Sequence, residues 1–265
     1  EKPGFPRFLS KDRYNSFCFP QSGFKIVNNR LNLSKIGSIK INLHRELIGK
    51  IKTCTIIVNN LGEWSACFST EVEKQAMIKT NKSVGIDLGI TNYLTKSDGE
   101  TIAPSKYIDK YLNQLKLLSK RYSKNKTSAK RKRLARLHKK IVNSRVDWQH
   151  KVANQLIKEN DVIILEDLNV RNMVDKNKSN TMKRHIYDAS WSRLTEYITY
   201  KAEYADKRVI LVNPMNTSKM CSCCKNIKTD LKLYDRIYHC ESCKATLDRD
   251  YNASLNILNL GLEVI

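Results

Sequence analysis

The chain has 265 residues, 41% of them hydrophobic, which suits one large domain or two of ordinary size with a packed core and argues against disorder. Lysine and arginine number 48 against 26 acids, a net charge of +22, so a polyanionic partner is expected. No stretch approaches the ~20 consecutive apolar residues of a membrane span, which makes that partner nucleic acid rather than a membrane.

No charged-then-apolar leader opens the sequence and its first residue is Glu1, so a fragment is expected. The opening "EKPGFPRFLSKDRYNSF" is aromatic and basic, suited to backbone contacts with a nucleic acid or, equally, to an irregular edge packed by its own phenylalanines. Residues 1–80 read as β structure. "SIKINLHREL", "KIKTCTIIVNN" and "EWSACFSTEVE" each alternate apolar with polar, and "NNLGE" is a hairpin-like turn. Several short strands in a basic segment suggest a small barrel, or a sheet sitting on a larger domain.

Next comes "VGIDLGITNYLTKSDG", residues 84–99, an apolar strand with one acid inside it. Val84, Ile86 and Leu88 alternate, so Asp87 points to the opposite face or its rim. Either it caps the turn at Gly89, or something compensates a carboxylate whose burial alone would cost several kcal/mol. From Pro104 the period changes. Ile108, Tyr111, Leu112, Leu115, Leu118 and Tyr122 mark one helix face, Leu134, Leu137 and Ile141 a second, and Trp148, Val152 and Leu156 a third segment. The second opens "KRKRLARLHKK", where Lys130, Arg131, Lys132, Arg133, Arg136, Lys139 and Lys140 surround a leucine stripe with no acid among them. Most charge runs are solvated faces of mixed sign; this one is read as a phosphate-tracking helix. "DVIILEDLNV" then reads as a central strand covered on both faces and ending in Glu166 and Asp167. A helix near "DASWSRLTEYITYKAEYADK" and another buried strand, "RVILV", follow.

Of eight cysteines, Cys18, Cys54 and Cys67 lie in strand-like apolar runs and are expected to be buried thiols. The other five crowd into residues 221–243, which points to a reducing compartment and a metal rather than disulfides. Cys221 and Cys224, then Cys240 and Cys243, repeat the CxxC spacing of a structural four-cysteine zinc ribbon, two knuckles closing a tetrahedron with no open position. Cys223 is an alternative to Cys224 with a shorter bite. After the ribbon, Asp248 and Asp250 precede a helix with Ala253, Ile257 and Leu258 on one face. Asp250 sits near its first turn, where a helix-terminal acid is the plain reading and a one-residue slip would exchange it for Asp248.

Asp87, Glu166 and Asp250 thus follow three different apolar elements. The order of strands and helices is that of an RNase H-like α/β domain, in which such acids converge at one sheet edge. Without metal they would repel one another; with two Mg²⁺ ions they form the oxygen cage of phosphodiester hydrolysis.

At this point "GIDLGITNY", "ILEDLNV", the paired CxxC ribbon and "DRDYNASLNIL" resemble the three RuvC motifs and inserted zinc ribbon of the TnpB (OrfB) proteins of insertion sequences, compact relatives of type V CRISPR effectors. "GFPRF", "KINLHRELIGKIK" and "NPMNTSKMC" are similar to further stretches of that family. The resemblance implies an α/β protein in which a β-rich, partial-barrel segment over residues 1–80 precedes a RuvC-like domain. That domain would span 81–216 and 246–265, with a basic helical region at 105–160 and the ribbon inserted at 217–245. It implies an RNA-guided DNA endonuclease whose guide RNA, made from the transposon end, pairs with target DNA beside a short motif read by the protein. Asp87, Glu166 and Asp250 match the catalytic acids, holding two Mg²⁺; Cys221, Cys224, Cys240 and Cys243 match the ligands of one Zn²⁺. The segment Lys130 to Lys140 fits an element contacting DNA or heteroduplex. Family members usually carry a further stretch before "GFPRF", which this chain lacks. Two other readings stay open: a guide-dependent DNA binder or repressor that does not cut, and an unguided, structure-selective nuclease. A cytoplasmic, nucleoid-associated protein of a prokaryotic-type host is expected.

Overall fold

The computed structural model describes residues 14–74, 76–176, 178–232 and 234–264. The stretch "GFPRF" and the rest of the aromatic, basic opening as far as residue 13 lie outside the described residues. Two compact units emerge, one formed by the described part of residues 1–73 with 117–138, the other by 74–116 with 139–265.

In the first unit the alternating sequences become six short strands. β1 (Ser16–Pro20), β5 (Lys50–Val58) and β6 (Trp64–Glu71) form one antiparallel sheet in the order β1-β5-β6. β2 (Phe24–Val27), β3 (Arg30–Leu33) and β4 (Gly37–Lys40) form another. Leu31, Leu33, Cys54 and Ile56 make the core, joined by Phe19, Phe24 and Phe68. The expected hairpin over "NNLGE" is present: Asn59 Oδ1 accepts from the backbone N–H groups of Leu61 and Glu63 at 2.9 and 3.0 Å, an Asx turn joining β5 to β6.

Two expectations fail here. The strand read over "SIKINLHREL" stops at Lys40, and the last bond is Ile41 N–H to the Asn29 carbonyl at 3.0 Å. Alternation continues beyond it, but no partner strand lies alongside among the described residues. Of the three thiols expected inside, only Cys54 is buried; Cys18 and Cys67 are exposed. The register explains this, because Cys18 and Cys67 both pair with Thr55 and share its outward face, whereas Cys54 pairs with Phe19 and Phe68 on the inward one.

The second unit is built on a five-stranded sheet in the order β11-β10-β7-β8-β9. β7 (Ser83–Leu88), β8 (Leu94–Lys96) and β9 (Thr101–Ile102) run antiparallel as a meander, whereas β10 (Val162–Glu166) and β11 (Arg208–Val212) lie parallel to β7 and to each other. α1 (Tyr107–Lys124) and α2 (Ser128–Glu159) separate the meander from β10. α2 is one continuous helix of 32 residues, so the second and third helical segments of the sequence are a single element. α3 (Val170–Lys176), α4 (Asn180–Ala189) and α5 (Trp191–Tyr204) lead into β11.

One sheet face carries the main core. Val84, Ile86 and Leu88 of β7 and Ile163 and Leu165 of β10 meet Val152 and Leu156 of α2 and Trp191, Leu194 and Ile198 of α5. The other face is covered by α6 (Arg249–Leu262), with Ile164, Val212 and Ile257 between the layers. The contact is close enough to require glycine. A Cβ at Gly85 would stand 2.3 Å from the Ser254 carbonyl oxygen, and one at Gly261 2.4 Å from Ile164 Cγ2. β11 was expected to be buried but lies at the sheet edge, with Leu211 48% exposed and only Val212 buried.

Candidate functional site

Asp87 stands on β7 between two core residues and faces the other way, toward α6. The last recorded pair between β7 and β10 is Ile86 with Leu165, so the next residues along these parallel strands, Asp87 and Glu166, stand side by side at their C-terminal ends. α6, pressed against Gly85, brings Asp250 to the same edge. Glu166 and Asp250 are 8% and 7% exposed, and Asp87 is half-buried.

Electrostatics bind the three together. Burial first, then the charges of Glu166 and Asp250, push the Asp87 carboxyl well above the ordinary aspartate range. Burial also raises Glu166, opposed by the Thr217 hydroxyl, which lies 2.5 Å from its Oε1. Arg249 Nη2 lies 3.1 Å from Asp250 Oδ1, and Arg236 Nη1 3.7 Å from Asp250 Oδ2. Arg236 also donates through Nη2 to Thr91 Oγ1 at 2.8 Å, tying the segment before β12 (Ile237–His239) to the loop after β7.

The neighbouring acids are placed differently. Asp248 is the N-cap of α6, its Oδ1 accepting from the N–H groups of Asp250 and Tyr251 at 2.9 and 3.0 Å. Asp167 is exposed, and its N–H bonds the Val212 carbonyl.

The second cluster is the ribbon. The sulfurs of Cys221, Cys224, Cys240 and Cys243 all lie within 4.8 Å of one another, two of the pairs at 3.6 and 3.5 Å. Among the described residues only these four bring three or more ligand atoms that close; the three carboxylates are held further apart. Cys224, not Cys223, completes the set, and Cys223 is exposed. The two knuckles repeat each other. Cys221 N–H reaches the Asn226 carbonyl and Cys240 N–H that of Ala245, both at 2.9 Å, and Lys225 and Lys244 close them with φ of 63°. The thiols act on one another: the Cys243 N–H, ahead of the other donors, lowers the Cys240 thiol, while burial first raises Cys221, and, against the Ala245 N–H, Cys243 is raised as well by its sulfur neighbours. Four sulfurs with no open position fit a structural Zn²⁺, and the three carboxylates offer the hard oxygen donors that suit Mg²⁺.

Asn252 and Asn256, fully buried on α6, seat the ribbon. Asn252 donates to the Met220 carbonyl at 2.7 Å and accepts from Ser222 N–H; Asn256 donates to the carbonyls of Thr217 and Met220 at 2.9 and 2.6 Å. Sequence reading missed Thr217, Arg236 and these asparagines. The asparagines alone left a signal, two amides four residues apart and so on one face of the last helix.

On α2, Arg131, Lys132, Arg133, Arg136, Lys139 and Lys140 are exposed and Lys130 is half-buried. Lys140 Nζ lies 5.0 Å from the Tyr111 ring centroid. Among the described residues no carboxylate pairs with Lys130, Arg131, Lys132, Arg133 or Arg136.

Comparison with known proteins gives a consistent result. A family model described as OrfB_IS605, a probable transposase, matches residues 67–177, and one for the Cas12f1-like TNB domain matches 191–257. A putative RNA-guided DNA endonuclease of Streptomyces pristinaespiralis is 32% identical over 268 residues, 97% of this chain and 66% of its own length. The putative RNA-guided DNA endonuclease InsQ of Escherichia coli K12 is 29% identical over 286 residues, 100% of this chain and 70% of its own. This chain therefore spans about two thirds of the length of these relatives. Among solved structures, Cas12f1 in complex with sgRNA and target DNA matches with a TM-score of 0.50 at 16% identity, over 92% of this chain and 66% of that one, a likeness of fold.

Proposed function

The chain belongs to the TnpB (OrfB) family of insertion-sequence proteins, and from that premise we propose that it carries the nuclease centre of an RNA-guided DNA endonuclease. The observation that carries this reading is the meeting of Asp87, Glu166 and Asp250 on one sheet edge, where burial, then the charges of Glu166 and Asp250, make Asp87 costly to keep charged, and burial raises Glu166 as well. Cation-free, such a cluster is a liability; it becomes useful when divalent metal compensates it. The strand order β11-β10-β7-β8-β9, with three antiparallel strands and two parallel ones, supports an RNase H-like, RuvC-type sheet.

In this reading the three acids are the Mg²⁺ ligands. Two such ions, when bound, supply an activated water and stabilise the leaving oxygen of the scissile phosphate. The chain's own residues do the rest. Thr217 fixes the orientation of Glu166, and Arg249 and Arg236 balance Asp250 and set its position. Cys221, Cys224, Cys240 and Cys243 hold one Zn²⁺ that keeps residues 217–245 folded against α6, with Arg236 positioned from that segment. Lys130, Arg131, Lys132, Arg133, Arg136, Lys139 and Lys140 track phosphates of DNA or heteroduplex. Sequence choice falls to pairing between a guide RNA from the transposon end and the target strand. The RuvC-like domain so assigned covers 81–216 and 246–265, the β-rich segment 1–80.

The test is purification with copurified RNA sequenced, then a Mg²⁺-dependent cleavage assay on matching DNA. Asp87→Ala, Glu166→Ala and Asp250→Ala should each abolish cutting yet bind guide and target nearly as the parent does. Parent-like cleavage by all three variants overturns the reading. Binding without cleavage by the parent favours the repressor alternative.

A further inference from the structure

Beside the carboxylates, in the same compact unit, lies a cavity of about 260 Å³ that the reading above leaves unused. We propose that it is a nucleobase pocket, taking one unpaired base of the strand to be cut and preferring bases with an exocyclic amine to thymine. The proposal rests on the nuclease reading for its substrate, and on the cavity's own geometry for its chemistry.

Position comes first. Gly89, two residues beyond Asp87, and Thr91 line the cavity. Thr91 accepts the hydrogen bond of Arg236, whose other nitrogen lies 3.7 Å from Asp250, so the cavity adjoins the three acids. A strand lying across those acids has its neighbouring base within reach of the opening.

Size narrows the ligand. Pockets for drug-sized molecules run to roughly 300–1,000 Å³, so this smaller space suits one planar ring system. Its walls are set in advance: the Tyr93 hydroxyl donates to the Ala189 carbonyl at 3.0 Å and accepts from Gln149 Nε2 at 2.9 Å. A site fixed before binding loses less freedom on binding.

Charge decides the orientation. Two carboxylates, Asp109 and Asp188, line the interior and accept hydrogen bonds. Asp188 already receives Arg145 at 3.0 Å and the Ile108 N–H at 3.3 Å, and Asp109 meets Arg184 at 3.2 Å and His185 at 3.4 Å. Each carboxylate has about four lone-pair sites, which leaves room for a base donor. Adenine and cytosine offer an amine; thymine offers one ring N–H between two carbonyl oxygens that a carboxylate repels. Lys106 lines the cavity and is exposed, so it stands at the rim and takes the backbone phosphate of the same nucleotide. A base already single-stranded enters at the least unstacking cost.

The test uses the full chain with its zinc bound and no added Mg²⁺, with nucleosides as probes and binding read by saturation-transfer NMR titration. Deoxyadenosine and deoxycytidine should bind about tenfold more tightly than thymidine, the discrimination of one hydrogen bond to a charged group. Ser105→Phe, which fills the cavity from a loop residue, should remove that difference with an unchanged melting temperature. Lys106→Gln, an exposed change that keeps the fold, should weaken deoxyadenosine monophosphate to the level of deoxyadenosine. Equal binding of all three nucleosides, or equal loss of mono- and non-phosphorylated probes in Lys106→Gln, overturns the proposal, as does parent-like binding by a folded Ser105→Phe. No Mg²⁺ is present and no bond is cut. A failed cleavage assay therefore leaves this result readable, and a failed pocket leaves the triad assay intact.

Discussion

Asp248 and Asp250 stand two residues apart at the start of α6, and the backbone assigns them different roles. Asp248 sits at φ −60°, ψ 138°, the extended conformation of an N-cap, while Asp250 is inside the helix and buried. Asp248→Ala should therefore lower stability by about 1 kcal/mol, the worth of a cap, and leave measurable cleavage. Asp250→Ala should abolish cleavage with a smaller change in melting temperature. Nuclease assay and thermal melting on both variants separate the two. The sequence left this pair ambiguous because either acid suits a helix start; only the dihedrals decide. Asp87 was legible, since a carboxylate between Ile86 and Leu88 has to face away from the core they build. Thr217 and Arg236 were not, because each meets its carboxylate only through tertiary folding. Asp161 was missed for the same reason. Backbone N–H of Thr80 first, then other donors including Asn81, hold its carboxyl down at about 2. A lowered folded value means stabilisation that is present above the ordinary value of about 3.9 and lost as pH falls through about 2. Asp161→Asn should cost about 1–3 kcal/mol at neutral pH through the unpaired N–H groups. The gap from the parent should close between pH 4 and 2 in melts recorded across that range.

At the level of elements, β7, β10 and α6 were readable because periodicity and burial agree there. β10 is paired on both sides, and its continuous apolar run says so. β11 has the same composition but lies at the edge, a difference that strand order makes and composition cannot. α2 was divided too finely because its apolar stripe weakens midway while the helix continues. Short α3 and α4 carry too few turns for a period. What fixes the site is the seating of α6 on β7. Gly85→Ala places a Cβ against the Ser254 carbonyl and the Leu258 backbone, atoms with no rotamer to yield. It should cost about 1–3 kcal/mol and displace Asp250, so cleavage should fall further than stability does, a split that melts and initial rates measure. The ribbon is a second element held from outside the sheet. Cys240→Ser should lose zinc by metal analysis and loosen residues 217–245 in hydrogen exchange, since structural zinc contributes folding free energy directly. Cys223→Ser should keep both, because its sulfur lies outside the cluster.

For the molecule as a whole, the net charge of +22 made a polyanionic partner the expectation at once, but did not say which lysines would touch it. Charge is additive over the chain and carries no address. The α2 run is the best-defined candidate because its cations are largely exposed and, among the described residues, Lys130, Arg131, Lys132 and Arg133 face no carboxylate. A surface kept for solubility alone would mix signs and pair them. Replacing these four by Gln removes four potential phosphate contacts and the counterions they release. Each lost contact lowers the slope of log affinity against log salt by about 0.9 for duplex DNA and about 0.7 for a single strand. Filter binding between 50 and 300 mM salt should show the slope falling by up to about 3.6 on duplex DNA and about 2.8 on a single strand, equally for matched and unmatched sequences. Contacts to phosphate carry position rather than sequence, so a loss confined to the matched target would place these residues at base edges instead. An unchanged slope and affinity would make the run a solvated face, and the charge that binds nucleic acid would have to be sought elsewhere on the chain.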